Sequence, residues 1–339
     1  MNNRSSRPER KKNMKIKVMA LGVMASLLAI GSAALATIVI DTVPVADSEN
    51  VADTRYVTPG YGAVGYEYRI GKYEVTAGQY TEFLNAVAKA DTYGLYNVAM
   101  WSSSYGCKIQ QSYADGVGYS YTVAPGYENR PVNWVSYWDS CRFANWLHNG
   151  QQGAGTTETG AYTMTTGGMN ANTIDRNGNW KWAVTSEDEW YKAAYYKGGS
   201  TNAGYFNYPT SSDSAPTSES PPGGDNNSAN FHDALAYTTA VGSYTGSDSP
   251  YGTFDQGGNV WEWNEAVISD QFGSYRGLKG VAFKFDGGDM HASYRSGSSG
   301  YPTTENDFLG FRVVEIPEPA TMVVLALGGI GMLVRRKGV

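Results

Sequence analysis

A chain of 339 residues with 41 glycines, 26 tyrosines and 9 tryptophans, but only 17% charged side chains, is too aromatic for a disordered segment and too poor in charge for a coiled coil. Its net charge is −6 and no basic stripe runs through its middle, so nucleic acid is not an expected partner. What remains is a loop-rich, aromatic globular protein.

In chain order, Lys15 and Lys17 precede an apolar run over 18–30, and Ala34-Leu35-Ala36 supplies the small residues of a signal-peptidase site. Residues 1–36 therefore read as a secretory signal, with Met14 as an alternative start because 1–13 are polar and basic. A retained membrane anchor is the competing reading, although the apolar core is short for a bilayer. Residues 37–54 read as a linker. Thr76 with Gln79 forms a capping box, and Tyr80, Phe83, Leu84 and Val87 follow at helical spacing, which predicts a helix over 77–89. Ser136 with Asp139 opens a second helix that turns Phe143, Trp146 and Leu147 to the core and ends at Asn149-Gly150. Ser186 with Glu189 opens a third over 187–196, stopped by Gly198-Gly199. Between them 96–129, 151–179 and 198–230 read as long loops, and such connections commonly carry function. Strands are expected over 180–184, 275–285 and 311–314.

The run Asp255-Gln256-Gly257-Gly258-Asn259-Val260-Trp261-Glu262-Trp263 suits a strand that buries two indoles on one face and turns Glu262 to the other. Asp255 and Glu262, joined by a glycine turn, can converge on a hard cation through oxygen ligands, as calcium prefers. A tryptophan-anchored turn with solvated carboxylates is the plainer alternative. At the far end, Pro317-Glu318-Pro319-Ala320-Thr321 leads into an apolar segment, 320–334, and then Arg335-Arg336-Lys337: a proline break, a short membrane span and a basic stop.

Several of these stretches together resemble the formylglycine-generating enzyme, or sulfatase-modifying factor, family. Gly258-Asn259-Val260-Trp261-Glu262-Trp263 resembles its signature. Tyr68 to Thr76 with Gln79-Tyr80 resembles its opening strand and helix, and Arg130-Pro131-Val132-Asn133-Trp134 with Asn145-Trp146-Leu147 its second helix. Thr185-Ser186-Glu187-Asp188-Glu189-Trp190 and Leu309-Gly310-Phe311-Arg312 resemble two further blocks. The resemblance spans 55–315 and implies one domain, α+β in class, a variant of the C-type lectin fold with short strands, few helices and long loops. Residues 316–339 resemble the PEP-CTERM sorting signal. That implies export, brief membrane retention, processing near Pro319 by a dedicated sorting machinery, and a final place on the cell surface or in the matrix, where an exopolysaccharide or another extracellular surface ligand is the expected partner.

Carried over position by position, the resemblance implies a structural calcium site from the side chains of Asp255 and Glu262 and the carbonyls of Gly258 and Val260. A second site would begin at Asn230 and Phe231, with Asp233 the nearest candidate for its other half. The family's oxidase chemistry needs a pair of cysteine thiolates for copper, and oxygen ligands do not replace them. The corresponding segment, 279–295, has no cysteine, which argues against copper; Asp286 and His291 fall near the empty positions. An iron site from Asp286, Asp289 and His291 is conceivable, as is a set of solvated loop residues. Cys107 and Cys141 suit either a disulfide or buried free thiols. Two functions stay open: a calcium-stiffened, non-catalytic binding or structural module, or an oxygen- and metal-dependent oxidoreductase acting on protein cysteine with altered ligands.

Overall fold

The structure is a computed structural model that describes residues 1, 37–199, 203–295 and 300–317. The expected signal, Met1 apart, and the segment 320–334 lie outside the described residues. Among these, no helix is long and apolar enough to cross a membrane.

The first strand, β1 (Thr42–Val45), lies inside the stretch expected to be a linker and pairs antiparallel with β2 (Tyr68–Gly71). That stretch is therefore part of the fold: Val45 is fully buried. Helix α1 (Ala77–Val87) starts where Thr76 and Gln79 cap each other's backbone, and it turns Tyr80, Phe83 and Leu84 inward. The expected loop 96–129 contains a short helix α2 (Ala99–Ser102) and a hairpin, β3 (Ile109–Ala114) and β4 (Gly118–Val123). The hairpin turns at Asp115-Gly116, with Gly116 at a φ of 73° that glycine adopts without strain.

Helix α3 (Tyr137–His148) is capped by Ser136 and Asp139 and is buried over Tyr137 to Leu147, so it forms the centre of the core. Its Phe143 ring meets Phe83 of α1 at 5.3 Å and Phe311 at 5.4 Å. Next come α4 (Thr166–Ala171), β5 (Trp182–Val184) and α5 (Glu187–Tyr195), the last capped by Ser186 and Glu189. A short parallel pair, β6 (Thr217–Ser218) and β7 (Ser228–Ala229), interrupts the third expected loop.

The signature run becomes the start of β8 (Trp261–Asp270), which pairs antiparallel with β9 (Gly273–Gly280) and shifts register between Asn264 and Val267. The strand expected over 275–285 ends at Gly280. The final expected strand is two, β10 (Leu309–Phe311) and β11 (Val313–Glu315), broken at Arg312. This break matters because β10 joins the sheet β10-β8-β9, whereas β11 sits between β2 and β5 in the sheet β1-β2-β11-β5. One residue thus links the two sheets.

Candidate functional site

At the junction, Arg312 and Glu262 are both fully buried. The Arg312 Nε donates to Glu262 Oε2 and its Nη2 to Oε1, each at 2.6 Å, while Trp190 Nε1 of α5 donates to Oε2 at 2.7 Å. Arg312 also donates to the carbonyls of Gly71 (3.0 Å) and Phe254 (2.9 Å). The carboxylate does point away from the Trp261 and Trp263 rings, but into protein rather than water, so the solvated alternative fails for Glu262.

Two more carboxyls face the same centre. Glu74, just after β2, is buried, and neither of its carboxyl oxygens has a hydrogen-bond partner. Its pKa is held well above the ordinary value by burial first, then by the charges of Asp255 and Glu262. Asp255, at a φ of 59°, accepts the Gly242 N–H at 2.6 Å through Oδ2, and burial pushes its pKa up to about 6. Three carboxyls therefore share one guanidinium, and isolated buried charge of this kind needs either protons or a cation. A 630 Å³ cavity borders Glu74, and every charged side chain lining it is acidic: Asp41, Glu74, Glu82 and Glu128.

The donor set is all oxygen, which suits a hard dication. The fit to the expected ligands is uneven. Glu262 already accepts three donors on its two oxygens, so it is anchored to Arg312. Glu74, which the sequence reading did not single out as a ligand, is the carboxylate left without a partner. Gly258, at a φ of 101°, packs so closely on Asn230 that a Cβ would sit 2.7 Å from the Asn230 carbonyl oxygen. The expected second site therefore adjoins the first. There Asn230 Oδ1 is buried and unpartnered, its Nδ2 donates to the Tyr237 carbonyl at 3.0 Å, and the Phe231 carbonyl accepts from Ser218 Oγ and Ala234 N. Val260 is fully buried beside them. Among the described residues, no three His, Cys, Asp or Glu side chains converge closely enough to hold a metal ion by themselves.

The segment 281–295 does not form a second centre. Asp286 caps a single 3-10 turn, Gly287–Met290, by accepting the Gly288 N–H at 3.1 Å. The His291 ring packs edge-on between Tyr56 (5.4 Å) and Tyr208 (5.2 Å) and accepts the Ser293 N–H at Nδ1. Burial and the nearby Arg55 charge lower its pKa. Asp289 shares the turn with Asp286, and burial raises its pKa. Asp286, Asp289 and His291, for which an iron site was conceivable beside a set of loop residues, do not form a group that could hold a metal ion.

Nor is the disulfide formed. Cys107 and Cys141 are buried free thiols. Cys107 Sγ lies 3.8 Å from the Asn133 carbonyl, and Cys141 sits mid-helix in α3. Burial raises their pKa values to about 11 and about 12, which keeps both as unreactive thiols.

Compared with known proteins, the sulfatase-modifying factor enzyme 1-like domain matches residues 42–316, and the PEP-CTERM protein-sorting motif matches 315–337. Among solved structures, Treponema denticola variable protein 1 superposes with a TM-score of 0.53 at 19% identity, over 84% of this chain and 97% of its own. CarF does so with a TM-score of 0.50 at 20% identity, over 83% and 100%. At such identities the likeness is one of fold: α+β, the C-type-lectin-like variant of formylglycine-generating enzymes. No curated protein matches.

Proposed function

The chain belongs to the sulfatase-modifying factor enzyme 1-like family and ends in a PEP-CTERM sorting motif, and from that premise we propose that it is an exported, non-catalytic member that binds a surface polymer. One observation carries the reading: the segment 279–295 has no cysteine, and its Asp286 and His291 are spent on a turn cap and on packing. Soft thiolate ligands for copper are thus lacking where the family resemblance places them, and both remaining thiols are buried elsewhere. The long loops, rich in Tyr, Ser, Gly and Asn, suit adaptable polar and aromatic contacts with exopolysaccharide once the sorting machinery has delivered the chain to the surface.

Calcium is the proposed brace of this scaffold. Glu74 and Asp255 would supply its carboxylates and the backbone at Gly258 and Val260 its carbonyls, with Asn230 and Phe231 alongside. The ion would supply positive charge to a junction rich in carboxyls. Its expected signature is a higher melting temperature in calcium than in chelator, lost in Glu74→Gln and Asp255→Asn. The catalytic question is decided by incubating the full chain with copper and a cysteine-containing sulfatase peptide. Mass spectrometry is expected to find no thiol-to-aldehyde conversion, and conversion would overturn the proposal.

A further inference from the structure

A second cavity, which shares no lining residue with the one beside Glu74, has a different character. It measures 560 Å³ and lies among Trp138 of α3, the end of α4, Ser274 of β9 and residues 301–303. That volume is in the range of small-molecule sites. None of its lining side chains carries a charge at neutral pH, in contrast to the acidic cavity beside Glu74.

Three features give it a chemistry. Trp138 is only 3% exposed, and its indole N–H is a buried donor without an acceptor. That N–H is sealed from solvent, so Trp138 gives the cavity an indole wall rather than a direct donor. Tyr301 offers an aromatic surface: it is 46% exposed, and its ring is held against Tyr275 at 4.6 Å. The polar wall is fixed in advance. Asn172, in the left-handed conformation at the end of α4, accepts Arg276 Nε at 2.6 Å and donates to Ser274 Oγ at 2.9 Å. Arg276 is itself buried and bonded to the Glu265 and Ile174 carbonyls, so its charge braces the wall from behind. The exposed amide of Asn170 adds both a donor and an acceptor at the rim.

An uncharged cavity with an aromatic platform and fixed hydroxyl and amide groups matches the alternating apolar faces and hydroxyls of a sugar. Resting on the polymer-binding reading above, we propose that this cavity is the site of contact with a neutral carbohydrate chain. The Tyr301 ring meets a sugar face, and the Ser274 hydroxyl and the Asn170 amide bond its hydroxyl oxygens.

The test titrates the full chain with neutral gluco- and manno-oligosaccharides and with an acidic oligogalacturonate, by calorimetry. Neutral oligomers are expected to bind in preference to the acidic one. Tyr301→Ala should weaken them about tenfold, and Asn170→Asp, a surface change, should weaken them without altering the melting temperature. Binding that survives unchanged in Tyr301→Ala and Asn170→Asp overturns this site while leaving a polymer-binding function elsewhere on the chain. Preference for the acidic oligomer also overturns it. Absence of binding to every carbohydrate sinks both this site and the reading it rests on.

Discussion

Arg312 separates β10 from β11 and spends its guanidinium on Glu262 and the carbonyls of Gly71, Lys72 and Phe254, so its loss strands a carboxylate in a fully buried place. Removing one partner of a buried pair costs about 3–5 kcal/mol, whereas replacing both can be nearly neutral. Arg312→Met is expected to lower unfolding free energy by that amount in urea titrations, and the double variant Glu262→Gln with Arg312→Met to recover part of it. The cysteines give a second prediction at this scale. An aromatic disulfide reagent should label neither in the native protein, and both once the chain is unfolded without reductant; a disulfide would leave both unlabelled in each state. The residues of the junction were unequally legible. Asp255 and Glu262 stood out because both lie on one short run around a glycine turn. Glu74 sits in an opening block far away in sequence, and nothing local announces that its carboxyl ends up beside theirs.

Among the elements, α1, α3 and α5 were readable because each opens with a side chain whose hydrogen bond to a backbone three residues on is a local event. The β3–β4 hairpin was missed despite its Asp115-Gly116 turn signal, since its alternating residues are mostly polar and resemble loop. The split between β10 and β11 was hidden too, because the strand residues read continuously and only tertiary pairing assigns them to different sheets. Helix α5 carries a prediction about pH. Burial raises the Glu189 pKa, but Arg176, the Ser186 N–H and the Tyr66 hydroxyl more than reverse this, leaving it below the ordinary value. With the folded pKa depressed, the stabilisation is present above about pH 4.3, the unfolded value, and is lost as pH falls through the folded pKa. The same guanidinium is shared with Glu265, whose pKa stays raised by burial, so Glu265 takes its proton first. Melting temperature should therefore fall in acid. The gap between wild type and Arg176→Met should narrow as the pH drops below that window.

For the whole molecule, the sheet order places β11 in the middle of its ladder, with Val314 opposite both Ile70 and Ala183. A chain ending at Arg312 is expected to lose cooperative melting by circular dichroism, while one ending at Ile316 keeps it. Because the strand that completes this ladder is among the last residues of the domain to be synthesised, the centre of the sheet stays open until the ribosome has nearly finished. The domain therefore reaches its finished shape only after nearly all of it has been made.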